Sequence, residues 1–402
     1  MSINKKNLFN GFVLNFIAGV LPIAIMQLIV YPLMSANIDN ASYGESLTFY
    51  SLLMMIPNSF GIVLSDLRML YNKEYRDNNI EGDFKRLLLI FMLPSCVITL
   101  ITAKFCFVKF DLIEYFLCCV TSLLVYFNAY LFVELVLKKD YKKILVNAIW
   151  MSIGYVIGIT CLIAFKLWQL VYLVPFLFST IYLGNKTDLL KEKNIKTKYY
   201  LILIKEYFLL LFSTIVTNAI SYADRFVLFP LLGGTSVAIY YTASILGKLI
   251  SMVSAPINRM ILGTISDKER LGNKLFSKML IIVLFFHLIA YAVCILITKP
   301  ILTLLYPKLV TVVMPYVPVA TAASVLAAMA SMLQPFVLRY TQVKWQSFIH
   351  ISSAIVYFLS ALLLQQYFGL IGFCTGALIG FIYKILLMIF IYFKFKKESI
   401  VV

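Results

Sequence analysis

Charge is scarce along this chain: 13% of its 402 residues are Asp, Glu, Lys or Arg, about half the share of a soluble domain. Histidine is nearly missing as well, with two residues. These shortages exclude whole classes of chemistry. No P-loop, catalytic triad or metal-ligand cluster can be found. No catalytic or metal-binding residue is therefore assigned, no cofactor is expected, and the chain is not expected to be an enzyme. Alternation with a period of two is lacking, so transmembrane β-strands are excluded. The seven cysteines all lie in apolar stretches and read as small packing residues rather than a disulfide framework.

What the chain does have is apolar surface. Hydrophobic residues make up 62% of it, more than a water-soluble fold could cover. Stretches long enough to cross a bilayer fall at roughly 9–34, 44–64, 87–108, 112–137, 144–165 and 168–184. A polar segment, 185–200, follows, and six more stretches come at 201–230, 237–263, 279–297, 312–338, 348–366 and 369–393. Each is close to the ~20 residues a spanning helix needs. The first contains Pro22 and lacks a small-residue cleavage site behind it, so it reads as a helix and not as a signal peptide.

The net charge of +17 would suggest nucleic acid in a soluble protein, but its placement says otherwise. Of 35 Lys and Arg, 25 fall in the seven segments on one side of the spans, 4 in the six loops opposite, and 6 within spans. Basic residues stay on the cytoplasmic side. The sequence therefore predicts an all-α integral membrane protein with twelve transmembrane helices and both termini cytoplasmic. No nucleic-acid partner is expected.

The halves repeat. "VYPLMSANIDNASYGESLTFYSLLMMIPN" (30–58) resembles "LFPLLGGTSVAIYYTASILGKLISMVSAPIN" (228–258), with Pro32, Tyr43 and Ser46 matching Pro230, Tyr241 and Ser244 at an offset of 198. Both segments join the first two helices of a six-helix half. The expected organisation is an N-terminal lobe, 1–184, a cytoplasmic linker, 185–200, and a C-terminal lobe, 201–402. Transporters built from such repeats place the substrate between the halves.

Two charges, Asp224 and Arg225, stand side by side in an apolar run. Arg225 lies about eight residues, or about 12 Å, inside its helix end. Neighbours on a helix point about 100° apart, so these two do not neutralise each other. Thr214, Asn218, Ser221 and Arg225 recur at spacings of three and four, making a polar stripe. A second stripe holds Tyr241, Ser244, Lys248, Ser251 and Arg259. Arg259 is near a helix end and can snorkel to water, whereas Lys248 is too deep to do so. Lys384 is a third deep cation. Three deep cations against one carboxylate describe a water-filled cavity with a positive interior, suited to phosphate or pyrophosphate. The candidate substrate-binding residues are Arg225, Lys248, Lys384, Asn218, Ser221, Tyr241, Ser244 and Ser251, and Asp224 is the candidate for coupling to an ion. His287 and His350 are isolated and read as packing and helix-end residues. Glu134 and Glu206 read as interfacial partners of nearby lysines.

Particular motifs carry a family resemblance. The element "YPLM…SYGES" and the block "YADRFVLFPLLGGTSVAIYYTASIL", with Asp224-Arg225, Leu232-Gly233, Val237 and Ile239-Tyr240, resemble a Wzx-type polysaccharide flippase of the MOP (MATE-like) superfamily. The glycine-rich "GLIGFCTGALIG" (369–380) resembles that family's last helix. Ala238 stands where the family often has Gly, and the first-half spans hold one basic residue, Lys104. The resemblance implies a multi-pass protein of the bacterial cytoplasmic membrane. Its cargo would be an undecaprenyl-pyrophosphate-linked oligosaccharide repeat unit for capsule or O-antigen synthesis, moved by alternating access. Coupling to H+ or Na+, contact with membrane lipids, and cooperation with polysaccharide polymerase and chain-length machinery are implied too. A MATE-like drug or metabolite exporter is the alternative, disfavoured by the cavity charge. A membrane polysaccharide polymerase comes next. It needs catalytic groups on a sizeable outer loop, and the longest such loop, 298–311, has no carboxylate or histidine.

Reporter fusions test the orientation. A fusion at Asn194 should report the cytoplasm and one at Gly234 the opposite side; the reversed pattern would overturn the two-lobe arrangement.

Overall fold

The computed structural model describes residues 5–77, 82–107, 110–266 and 272–395. Among the described residues every regular element is a helix. That is what a bilayer demands, because hydrocarbon offers no partner to an unpaired N–H or C=O. Among the described residues, ten segments are long and apolar enough to cross a membrane. The protein is a multi-pass membrane protein. Its chain forms two compact units, Met1–Val237 and Ala238–Val402.

The first unit begins with α1 (Lys5–Ile25), which runs through a π-helical turn, Met26–Val30, into α2 (Tyr31–Asn37). Next come α3 (Asn40–Met55), α4 (Pro57–Asp77), α5 (Asp83–Cys106), α6 (Leu112–Leu137), α7 (Tyr141–Phe165) and α8 (Leu170–Lys186). Then follow α9 (Tyr200–Ser221) and the start of α10 (Ala223–Ser266). Polar side chains mark the helix starts. Asp39 caps α3 by accepting from the N–H groups of Ala41 and Ser42, and Asp111 with Glu114 forms a capping box on α6. The Ser42 hydroxyl, 2.6 Å from Asp39, holds the Asp39 carboxyl below the usual carboxylate range.

The expected twelve crossings differ from the ten segments in two places, each for a physical reason. The segment Leu170–Lys186 has only 17 residues and contains Pro175. It lies antiparallel to α7, with Gly154 against Pro175 and Gly158 against Val171. The segment Trp345–Phe395 is a single run of 51 residues, but Gly369 breaks it with φ 57°.

That break shapes the second unit, which holds the rest of α10, α11 (Asn273–Leu305), α12 (Val310–Val313), α13 (Val317–Tyr340) and α14 (Val343–Phe395). An L-residue with a side chain resists positive φ, and glycine does not. From Gly369 the chain folds back on itself: Gly372 meets Leu364, Gly376 meets Ala361, and Gly380 meets Tyr357. Falling partner numbers against rising glycine numbers make the two arms antiparallel. Glycines every fourth residue put one bare face of the second arm against the first, the small-residue packing that membrane helices use. An apolar core of Met329, Leu333, Val337, Ile349, Ile385 and Met388 ties these arms to α13.

The polar segment 185–200 is strapped to the first unit. The Asp188 N–H donates to Glu134 at 2.8 Å, and Glu134 also pairs with Lys138. Arg68 pairs with Glu192 and donates to the Tyr130 hydroxyl at 2.8 Å. Asp83 accepts from the Thr197 N–H at 2.8 Å, from the Thr197 hydroxyl, and from Tyr75 at 2.6 Å. Glu206 accepts from Tyr71 at 2.9 Å. Helix α9, assigned by the repeat to the second lobe, packs in the structure on α4 of the first unit. There the Tyr207 hydroxyl reaches the Phe60 carbonyl at 3.1 Å, and its ring stacks 4.1 Å from Phe91.

Gly44 on α3 lies so close to the Gly234 backbone that an added Cβ would overlap its carbonyl; Gly234 is likewise pressed on Ala41. Overpacking costs about 1–3 kcal/mol even where side chains can shift, and here only backbone faces backbone. Gly44→Val should sharply reduce the monodisperse protein recovered by size exclusion after detergent extraction. Gly184→Ala, with nothing within 4 Å of the new Cβ, should match or exceed the parent's recovery.

Candidate functional site

The Asp224-Arg225 pair sits at a helix break, and the break begins with Tyr222. Its backbone, φ −109° and ψ 13°, ends α9, and α10 starts at Ala223. This interrupts the continuous span expected over 201–230. The local chemistry accounts for it. Ser221 bonds back to the Thr217 carbonyl at 2.9 Å, a contact that bends helices. The Asp224 carboxylate accepts the Arg225 N–H at 3.0 Å. An acidic side chain in a helix's first turn is favoured by the helix dipole, so Asp224 stabilises the restart.

The Arg225 side chain reaches into α3. Its Nη1 donates to the Ser51 hydroxyl at 2.5 Å and to the Leu47 carbonyl at 3.3 Å. The guanidinium carbon lies 5.6 Å above the Tyr222 ring, and the residue is 7% exposed. Leu47 also receives the Ser51 hydroxyl proton at 2.9 Å, so three groups close a small ring of bonds. Tyrosines surround it: Tyr50 and Tyr172 have ring centres 5.4 Å apart, and Tyr155 is buried. Asn218, one turn before the break, serves a second break. Pro57 has no N–H to give the preceding turn, and Asn218 donates to the Met54 carbonyl at 3.3 Å and to Ser59 at 2.8 Å. Asn218 and Arg225 thus grip α3 and α4 from opposite sides of Tyr222. Ser221 is exposed, with its hydroxyl on its own helix.

In the second unit Lys248 is held by aromatic faces. Its Nζ is 4.9 Å from the Tyr241 ring centre and 5.4 Å from that of Tyr240. Residues seven and eight positions back share a helix face with it, and lysine stems lean toward the helix N-terminus. Cation–π contacts are worth about 2 kcal/mol when desolvated. Ser244 is fully buried, and its hydroxyl bonds the Tyr241 carbonyl at 3.1 Å. Ser46 makes the same bond to Tyr43 at 2.7 Å, so the repeat at offset 198 extends to local geometry. By that offset Tyr50 corresponds to Lys248: an aromatic in one half answers a cation in the other. Lys384 is on the second arm of α14, which packs antiparallel to the arm that carries His350. The Ser251 side chain lies outside the described residues.

The structure brings Asn218, Asp224 and Arg225 into one cluster and Tyr241 and Lys248 into another. Ser51, Tyr50 and Tyr172 were missed as neighbours of Arg225; the only signal for them is the polar spacing on α3. A different feature of the sequence bears on all the lysines. From Ala238 to Val402 there are three acids, Asp267, Glu269 and Glu398, and none lies on a described residue. The described residues of the second unit, Lys248 and Lys384 among them, therefore include no carboxylate.

No protein-family profile matches the sequence, and no curated protein matches it. Solved structures do match in shape. The lipid II flippase MurJ, in an inward closed conformation, superposes with a TM-score of 0.73 at 14% identity, covering 95% of this chain and 87% of that one. An inward-facing multidrug resistance MATE family transporter of the MOP superfamily gives 0.64 at 12% identity, over 94% and 97% of the two chains. The eukaryotic MATE transporter AtDTX14 gives 0.59 at 13%, over 96% of each. Identities this low speak for the fold alone, and the fold is one shared with these flippase and transporter structures.

Proposed function

We propose that the protein is a flippase that moves an undecaprenyl-pyrophosphate-linked oligosaccharide repeat unit across the bacterial cytoplasmic membrane for capsule or O-antigen synthesis. In this reading twelve helices in two six-helix lobes, with both termini cytoplasmic, alternate in access around the cargo. The observation that carries it is the imbalance of deep charge. Among the described residues from Ala238 onward, which include Lys248 and Lys384, there is no Asp or Glu. A cation at a span's centre costs roughly 2.5–3.5 kcal/mol, and an anionic cargo lowers that cost. The likeness in fold to a lipid II flippase supports a lipid-linked cargo. The tyrosine faces around Lys248 match what a sugar or pyrophosphate would meet in such a cavity. The likeness to multidrug MATE transporters keeps a drug or metabolite exporter as the second reading. An exporter of cations would gain from removal of the lysines, so the same substitutions separate the two.

Lys248→Arg keeps the charge and the contact with tyrosine, and should retain much of the export. Lys248→Met keeps the length and removes the charge. It should insert at least as well and lower export by about tenfold or more, as loss of a charge-assisted contact does. Surface polysaccharide is measured at matched protein levels in a strain lacking its own flippase. Export at the parent level by Lys248→Met would overturn the cationic site.

Asp224 is the proposed coupling residue, and its place in the first turn of α10 makes Asp224→Asn a clean probe. Asparagine retains an oxygen for the Arg225 N–H and serves well at a helix start, so abundance should not change. Gradient-dependent export should then fall steeply if the carboxylate couples H+ or Na+. Full export by well-expressed Asp224→Asn would remove that role.

A further inference from the structure

Three polar side chains from three helical arms meet inside the second unit, where the sequence alone suggested an isolated histidine. Gln334 on α13 lies with its amide nitrogen 3.2 Å from His350 Nε2, on the first arm of α14. The amide is the donor, so Nε2 accepts and Nδ1 carries the imidazole proton. Lys384 approaches from the second arm. The antiparallel register set by Gly372, Gly376 and Gly380 places Lys384 opposite Ser353, one turn from His350. Ser353 itself donates to the His350 carbonyl at 3.2 Å.

Among the described residues of this unit there is no Asp or Glu; its three acids, at 267, 269 and 398, lie outside the described residues. Gln346 adds an independent sign. One turn before His350 on the same helix face, it is 7% exposed, and neither its amide nitrogen nor its amide oxygen has a hydrogen-bond partner. Buried amides seldom stay unsatisfied. A half-buried cation, an imidazole N–H and two amides offer several donors and a single positive charge.

The geometry points to a binding site for a phosphoryl group formed by Lys384, His350 and Gln334, with Gln346 one turn away. Phosphoryl oxygens accept from several directions at once and carry the charge that the ammonium lacks. A chloride would leave most of the donors unused. The phosphoryl group can come from a lipid-linked pyrophosphate or from the headgroup of an anionic phospholipid. The inference rests on the proposed transport role only for the first of these sources, and the site can be measured whether or not sugar is moved.

The two histidines make the test direct. His287 bonds the Val283 carbonyl of its own helix at 2.7 Å and serves as an internal control. In the full-length protein in neutral detergent, labelled at histidine, inorganic pyrophosphate is titrated while both imidazole NMR signals are followed. The His350 signal should move and saturate while that of His287 stays. In Lys384→Met the half-saturating concentration should rise by about tenfold or more, as expected when the charge is removed from such a contact. His350→Gln, paired with the same titration followed by isothermal calorimetry, should bind, since glutamine still donates. Reconstitution in phosphatidylcholine with or without phosphatidylglycerol separates the sources. A His350 shift with phosphatidylglycerol but not with pyrophosphate assigns the site to a lipid headgroup. If Lys384→Met fails to fold, Lys384→Gln takes its place. An immobile His350 signal under both probes, or an unchanged titration in the charge-neutral variant, overturns the site. Loss of export in Lys248→Met with normal binding here would leave the flippase reading intact and separate it from this one.

Discussion

A peptide group in hydrocarbon has no water to fall back on, so each interruption of a spanning helix has to be repaired by some other part of the protein. The first unit shows how that requirement selects its polar side chains. Pro57 breaks one helix, and Asn218 donates to the loosened turn. Tyr222 breaks another, and at the restart the Arg225 N–H is shared between the Tyr222 carbonyl and Asp224. Arg225 then binds α3 through Ser51 and Leu47. Residues that look like a charged intrusion in an apolar run therefore hold two broken helices to each other. Any transport role for Arg225 or Asp224 is exercised by groups that also keep those breaks in shape.

The two units manage charge by opposite means. The first pairs its acids. Glu134, Glu192, Asp83 and Glu206 each accept from a named donor, and most of these bonds secure the strap of 185–200. Burial of such groups is tolerable where donors compensate the charge. Among its described residues the second has no Asp or Glu; there Lys248 leans on tyrosine rings, and Lys384 lies on the arm that packs along the His350 arm. An aromatic face softens a cation's burial but does not neutralise it. That asymmetry is the ground for proposing an anionic ligand in the second unit.

Much of this was legible from residues alone. Apolar runs gave the helical, multi-pass class, and the glycines of 369–380, read from the sequence only as a family resemblance, pack one arm of α14 against the other. The repeat was visible in Tyr43, Ser46, Tyr241 and Ser244, and the matching serine bonds reproduce it. Other features were hidden because they depend on partners remote in sequence. Nothing near Arg68 announces Glu192, and nothing near Asp83 announces Thr197. The break at Tyr222 escaped because Ser221, Asp224 and their backbone partners look acceptable in a helix one at a time. His350 and Lys384 looked unrelated until the turn at Gly369 folded one arm onto the other. Hydropathy reports how often a residue meets lipid, but not which neighbour it meets.

Gly44 and Gly234 have one further implication. They come from the corresponding parts of the two repeats, yet they share a single gap only as wide as bare backbone. Whatever gene duplication made the halves alike, this point is where the copies had to stop diverging freely. A bulkier residue on either side would close the gap to both. The two sites can therefore be expected to drift as a unit through a lineage, each acting as the other's selective environment.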